Sequence, residues 1–513
     1  MKFTYFLFIL ILSFRLSAQN PVVQVREGKI EGTTNVKGDI HVFKGIPFAA
    51  PPVGDLRWKT PQPVRPWEGI RSCKDFSASP MQGEPRPFLC WSKEFLIPDA
   101  PIDEDCLYLN VWSPKTAGSD KKPVLVYIYG GGFRSGGSAC PIYDGEAMAS
   151  KGIVFVSLNY RVGVFGFFVH PELSKEAAYG SSGNYALLDM IAALQWVQQN
   201  IETFGGDPKN VTIAGQSAGA FGVNYLVASP LTKGLFQKAI AQSGGNLVSS
   251  PLRPALTKSG AEQLGVTFAE KLGCSNLAEL RAKPAVDILQ AQGGLSGPII
   301  DGYFLPESVG DIFRKGKQND IPTIVGWNDD DKVMFQAQAP EVFREQAEKR
   351  FGTLTAAFFD AYPAGTPEQS QQAQFDAGRD ETFAIQDYTW AKVQQRTGKH
   401  KIYVYNFNRK LPAHTPETQF GAFHSGEIVY AYDNLHTLDR PWEPIDQQLA
   451  DRMSDYWANF VKTGNPNGKG LPKWKPYHPK KEPVMILDVN SGQQPLPTKR
   501  QLAFWEQYFN SIN

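Results

Sequence analysis

Residues 211–220 read VTIAGQSAGA, a serine between two glycines straight after a run of strand-forming residues. Ser217 with Gly215 and Gly219 fits a nucleophile elbow, a tight strand-to-helix turn that lifts a hydroxyl clear of the backbone. Glycines leave room where side chains would collide in so sharp a turn. The helix N-terminus beneath Ser217 favours negative charge developing beside it. A bare G-x-S-x-G also makes an ordinary turn in a Gly-rich chain, so the chemistry has to be judged by its partners. A serine hydroxyl attacks only when a base takes its proton, and the oxyanion then formed needs donors aimed at it.

Candidate donors lie upstream. VLVYIYGGGF (124–133) is an apolar strand that ends in Gly130, Gly131 and Gly132, whose N–H groups can close on a substrate carbonyl. The base should be a histidine downstream of Ser217, where His400, His414, His424, His436 and His478 are available. His400 sits in a charged turn. His424 sits in GAFHSGEIVY, after small residues and before an apolar run, and is the preferred base. A metal site built from His424 and Glu427 would need further ligands at matching spacing, and none is evident in the sequence. The acid should follow a strand. IPTIVGWNDDDKVMF (321–335) ends a β-run and then offers Asp329, Asp330 and Asp331. One of the three would orient the histidine, and the others read as caps of the next helix.

The elements that must position these groups are legible as alternation. Runs at 123–129, 153–160, 211–215, 238–244, 321–327 and 401–407 read as buried strands. Residues 184–204 read as a helix with Leu187, Ile191, Leu194 and Ile201 on one face. A second helix near the C-terminus is closed by Gly464 and Pro466. Strands alternating with helices predict an α/β fold with a mostly parallel sheet covered on both faces. Residues 246–320 read as a helical and loop-like insertion, not a separate domain.

Composition bounds the rest. The chain has 513 residues and a formal net charge of +1, so there is no basic footprint for nucleic acid. Gly (47) and Pro (38) are spread along the chain, which suits long loops rather than disorder. Residues 1–18 place Lys2 before an apolar stretch too short to span a bilayer, followed by Ser17 and Ala18. They predict a secretory leader cleaved after Ala18, an exported product, and residues 19–513 as a single domain. The alternative is an uncleaved anchor. No later stretch predicts a membrane span. Five cysteines (Cys73, Cys90, Cys106, Cys140, Cys274) leave at least one unpaired within the chain, and no C-x-x-C suggests a metal or redox motif. Asn210-Val211-Thr212 fits a glycosylation sequon.

Taken together, FKGIPFAAPPVGDLRW (43–58), EDCLYLNVW (104–112), YGGGFRSGG (129–137), NYRVGVFGF, FGGDPKNVTIAGQSAGA and GAFHSGEI resemble the type-B carboxylesterase family, that of the cholinesterases and bacterial para-nitrobenzyl esterases. The resemblance covers nearly all of the chain after the leader. It implies an α/β-hydrolase fold with large insertions and a serine esterase acting on small-molecule esters without metal or organic cofactor. By the same resemblance Ser217 is the nucleophile and His424 the base. Gly131, Gly132 and Ala218 supply the oxyanion hole, and Ser243 supports the triad from behind. The acid falls on Asp331, where most members have Glu, with Asp330 the runner-up, and Lys332 replaces a usual Gly. Gln216 stands where cholinesterases carry Glu, which disfavours choline esters. The family's first disulfide ends at the position of Cys106. Its partner position holds Met81, so Cys73 or Cys90 substitutes or there is no bridge. The competing function is a non-catalytic, adhesion-type relative that keeps the fold without the chemistry. Phe133, Trp91 and Trp327 are candidates for lining a substrate gorge, together with loops 81–103 and 290–310.

Overall fold

The computed structural model describes residues 20–115, 120–249, 256–291 and 297–512. The leader at 1–18 and its cleavage point lie outside the described residues, as does part of the 290–310 loop. An eleven-stranded sheet organises the rest. In chain order its strands are β1 (Thr33–Thr34), β2 (Ile40–Pro47), β3 (Tyr108–Pro114), β4 (Lys122–Ile128), β5 (Val154–Leu158) and β6 (Gly206–Gln216). Then follow β7 (Lys238–Gln242), β8 (Thr323–Asn328), β9 (Ile402–Phe407), β10 (Pro483–Leu487) and β11 (Gly492–Pro495). Across the sheet they run β1-β2-β3-β5-β4-β6-β7-β8-β9-β10-β11.

The seven strands from β5 to β10 are parallel to their neighbours. β1 to β3 and β11 add antiparallel edges. The six runs read from the sequence are β4 to β9, the Val/Ile-rich strands of the centre. β5, β7, β8 and β9 are buried at every residue, as strands covered on both faces must be. The antiparallel edges were not legible: β1 and β11 are short, and β2 and β3, though as long as most central strands, break their apolar residues with His, Lys, Asn and Ser.

Five helices matter for the site: α1 (Tyr185–Asn200), α2 (Ala218–Ala228), α3 (Ile385–Thr397), α4 (Pro444–Thr463) and α5 (Lys499–Ile512). α1 ends four residues before the predicted helix does, and a tighter turn, Ile201–Phe204, completes the segment. It is buried on most of its circumference rather than on one face, because it packs on α2 and β6 and against a short helix, Gly163–Phe167. α4 closes at Gly464 in the left-handed conformation, as the sequence indicates. The insertion between β7 and β8 carries the short helices Lys258–Lys271, Leu277–Ala282, Ala285–Gln290 and Val309–Arg314. A second helical insertion, between β8 and β9, includes Pro340–Phe351, Pro367–Arg379 and α3 and went unread. Among the described residues no helix is long and apolar enough to cross a membrane. All five cysteines are buried free thiols, so no bridge replaces the one lost at Met81.

Two buried contacts set the loop after β4. Tyr129 and Tyr160 stack at 4.3 Å, and each hydroxyl donates to the other's carbonyl at 2.9 Å. This locks the ends of β4 and β5 together. Next to it Arg161 forms a two-pronged pair with Asp189 of α1, Nη2–Oδ1 2.7 Å and Nε–Oδ2 2.8 Å, with both side chains buried. Arg161→Met strands the Asp189 carboxylate in the interior. We expect a loss of about 3–5 kcal/mol in urea unfolding. A loss under about 1 kcal/mol would show that the pair is dispensable.

Candidate active site

The residues singled out by sequence leave the sheet at one edge. Gly131 and Gly132 follow β4, Ser217 follows β6, Ser243 follows β7 and Asp331 follows β8. These four strands are consecutive neighbours in the sheet. The carboxyl ends of parallel strands are where open α/β sheets build their sites, since the turns there converge. His424 arrives from the long segment after β9.

Ser217 adopts φ 55°, ψ −126°, a conformation that L-residues avoid. A Cβ on Gly219 would lie 2.0 Å from the Ile128 carbonyl oxygen, and one on Gly215 would lie 2.5 Å from the Gly219 backbone. Both glycines are therefore required by close packing. The turn is held by Ser217 N–H donating to the Gln242 carbonyl at 2.9 Å and Phe221 N–H donating to the Ser217 carbonyl at 2.9 Å. Gly130 presses on this turn: a Cβ there would meet the Gln216 carbonyl oxygen at 2.8 Å and the Ser217 Cβ at 3.0 Å. The next carbonyl, that of Gly131, accepts from Arg134 N–H at 3.0 Å and Ser135 N–H at 3.1 Å. Among the described residues, the N–H groups of Gly131, Gly132 and Ala218 donate to no protein acceptor. Three unengaged donors beside one strained serine suit a developing negative charge.

Asp331 is 0% exposed. Its Oδ1 lies 2.6 Å from His424 Nδ1, while Oδ2 accepts from Ser243 Oγ at 2.6 Å and Asn328 N–H at 3.0 Å. Asp330 has a different task. Its Oδ2 accepts from Ala422 N–H at 2.9 Å, and its own N–H donates to the Ala422 carbonyl at 3.1 Å. With Asn328 Nδ2 donating to the Phe423 carbonyl at 2.8 Å, it straps the histidine segment to the acid turn. Asp329 keeps to the Arg379 side. A carboxylate on Nδ1 fixes the tautomer that leaves Nε2 free to accept a proton.

Packing orients the imidazole further. Phe383 stacks on it at 4.7 Å and 15°, and Trp91 meets it edge-on at 6.4 Å. Gln216 Nε2 lies 3.4 Å from Nδ1 and 3.3 Å from Nε2. A donor nearly equidistant from both nitrogens must sit over the ring face, because an in-plane position would fall on Cε1. Gln216 Oε1 in turn accepts from Ser425 Oγ at 3.2 Å. No hydrogen bond joins Ser217 Oγ to His424: among the described residues the hydroxyl has no partner. The link expected from sequence is open here. Gln216, the residue before Ser217, touches the ring, so the nucleophile turn and the histidine are in contact through this side chain.

Other sequence candidates disperse. His400 and His414 lie on the surface against Asp320 and Asp439. Trp327 is interior to β8, and Phe133 packs on Phe167 and Tyr225, so neither belongs to an open gorge. Trp91 does flank His424, and a groove of about 540 Å³ beside it is lined by Phe88, Leu89, Phe420 and Arg440 among others. The Asn210 amide of the sequon bonds Lys238 and the Lys462 carbonyl. Among the described residues no group of three or more His, Cys, Asp or Glu side chains could hold a metal. Sequence reasoning missed Asn328, Phe383 and the structural role of Glu427. Of these, only Glu427, three residues after His424, left a local trace.

Glu427 is fully buried and accepts from Asn328 Nδ2 at 2.6 Å and Gln242 Nε2 at 3.1 Å. Burial, then the charge of Asp331, pushes its carboxyl up to about 7. The folded chain thus holds a proton that the unfolded chain has released. Its stabilising share is complete below the ordinary value of 4.5 and is lost as pH rises through about 7. Melting temperature should fall across that window, and Glu427→Gln should flatten the fall; an unchanged slope in the variant would contradict this.

A sequence profile of the carboxylesterase family matches residues 19–505. The chain is 37% identical to the fumonisin B1 esterase of Sphingopyxis macrogoltabida, over 92% of this chain and 87% of that one. It is 33% identical to the para-nitrobenzyl esterase of Bacillus subtilis (strain 168), over 94% and 98% respectively. A solved structure of PNB esterase superposes with a TM-score of 0.81 at 31% identity, covering 95% of this chain and 99% of that one.

Proposed function

The chain belongs to the carboxylesterase family, and from that premise we propose that it cleaves carboxylic esters through an acyl-enzyme on Ser217. Its activity is that of a carboxylic ester hydrolase. The observation that carries the assignment of roles is the 2.6 Å contact between Asp331 and His424 Nδ1, made beside the strained Ser217 turn.

Ser217 Oγ attacks the ester carbonyl carbon while His424 Nε2 takes its proton. Asp331 keeps hold of Nδ1–H and faces the imidazolium. The carbonyl oxygen becomes an oxyanion received by the N–H groups of Gly131, Gly132 and Ala218. The adduct collapses, the C–O bond to the alcohol breaks, and the alcohol leaves with the proton from Nε2. Water, deprotonated by His424, then splits the acyl-enzyme and restores Ser217. Ser243 and Asn328 hold Asp331 throughout. Every proton is moved by His424, so the reaction calls for no metal or organic cofactor.

The substrate is a small-molecule ester with an apolar or aromatic portion, received by Trp91 and the adjoining Phe88 and Leu89. The contact of the exposed Phe88 with the half-buried Trp91, 4.8 Å between centroids, supports this. With Gln216 in place of an acidic residue and a net charge of +1, quaternary-ammonium esters are poor candidates. Residues 19–513 work as one domain and are exported after cleavage at Ala18, a reading supported by the leader's composition. The adhesion-type alternative is disfavoured by relatives that are named as esterases.

On p-nitrophenyl and p-nitrobenzyl esters, Ser217→Ala should lose about 10⁶ in kcat. Asp331→Asn should lose about 10⁴, as removal of a triad acid does elsewhere. Organophosphate should label Ser217 stoichiometrically in the wild type. A folded protein that hydrolyses none of these esters and takes up no label would refute the proposal.

A further inference from the structure

Asp387 is 0% exposed on the first turn of α3, and neither of its carboxyl oxygens has a hydrogen-bond partner. The other fully buried carboxyls are satisfied. Asp189 has Arg161, Asp380 has Arg379 and Tyr362, Asp446 has Arg409 and Tyr430, Asp331 has three donors and Glu427 two. An ionised carboxylate left without any partner in an interior is strongly disfavoured.

The surroundings of Asp387 connect it to the site. Gly244 N–H faces it without reaching bonding geometry. Gly244 also presses on the nucleophile turn, since a Cβ there would lie 2.8 Å from the Ser217 carbonyl oxygen. The preceding residue is Ser243, strained at φ 55°, whose hydroxyl donates to Asp331. The neighbouring Gln386 fixes the far side of this segment, its Oε1 accepting from Leu247 N–H at 2.7 Å and Val248 N–H at 3.1 Å. Asp387 therefore lies against the segment that contacts both the serine turn and the acid.

We propose that Asp387 is a positioning residue of the ester-hydrolysing site: it packs against the Ser243–Gly244 turn as an uncharged carboxylic acid, and its ionisation sets a second negative charge near Asp331 and disables the site. The inference rests on the roles proposed above for Ser217, His424 and Asp331. Burial, then the charge of Asp331, holds the Asp387 carboxyl well above the ordinary carboxylate range. From the elements packed around α3, the titratable groups that face it are Asp331 after β8 and the buried, unpartnered Tyr405 hydroxyl on β9. The remaining charges on those elements have partners: Asp380 with Arg379, Glu381 with Arg350, Asp311 with Arg314, Glu506 with Lys392, Lys499 with Glu482 and Arg500 with Asp360. The folded chain keeps a proton that the unfolded chain loses near 3.8, so its stabilising share declines as pH rises and is gone above the folded value.

The test compares the wild type with Asp387→Asn, which keeps the shape and removes the acid. With p-nitrophenyl butyrate, wild-type kcat should fall about tenfold or more from neutral to alkaline pH at steady KM, while the variant stays within about twofold of neutral wild type throughout. Infrared spectra of wild type labelled with ¹³C-aspartate should contain a protonated-carboxyl band at neutral pH that the variant lacks. Three results would overturn the inference: a variant that keeps the wild-type alkaline fall, a variant that loses more than about tenfold in kcat at neutral pH, or a wild type without the band. If the variant does not fold, the wild-type band alone decides, by its presence or absence at neutral pH. If no protein hydrolyses the ester, the catalytic reading has failed, and the band still judges the charge state of Asp387.

Discussion

One buried carboxylate holds the site together. Asp331 is fully buried, and its three donors come from three different parts of the chain. Asn328 N–H comes from its own strand, Ser243 Oγ from the neighbouring strand and Nδ1 of His424 from a loop almost a hundred residues downstream. Unpaired, such a group would be costly to bury; with three donors it becomes the point where these segments must meet. Asp330 and Asn328 reinforce the same junction by gripping the backbone on the N-terminal side of His424. The histidine's position is therefore over-determined, and its ring is further confined by Phe383 and Trp91.

The second constraint is steric. Gly215, Gly219 and Gly130 allow three backbone segments to approach more closely than any side chain permits. Ser217, Ser243 and Ser425 all take positive φ within this small region. Strain in non-glycine residues persists only where surrounding structure enforces it, and such residues gather at working sites. The energy that enforces it comes from the parallel sheet, from the Tyr129–Tyr160 latch and from the Arg161–Asp189 pair, which fix the strand ends from which these turns depart.

What could be read in the sequence was whatever is written locally. The elbow at Ser217, the glycines after β4 and the six central strands each occupy a few adjacent residues of distinctive type. His424 was selected from five histidines by its small and apolar neighbours. Choosing Asp331 over Asp330 by spacing was beyond reach, because the two differ only in which way a turn directs them: one toward the imidazole, the other toward the Ala422 backbone. Phe383, Asn328 and Asp387 left no trace, since their importance lies in contacts with residues distant along the chain. The antiparallel edge strands and the helical segment between β8 and β9 escaped for a related reason, since polar and charged residues interrupt their apolar patterns. Of the two alternatives left for the family's first disulfide, a substitute partner or no bridge, the structure shows the second, since all five thiols remain free in the interior.

The central claim is that Asp331 holds a proton on Nδ1 of His424 and thereby leaves Nε2 as the base. The most direct measurement is proton NMR of protein carrying ¹⁵N-histidine, read in the far-downfield region where short imidazole–carboxylate hydrogen bonds resonate. The account predicts one such proton, coupled to the Nδ1 nitrogen of His424 and lost when Asp331 is replaced by alanine. A proton found on Nε2 instead, or a downfield signal that survives removal of Asp331, would contradict it.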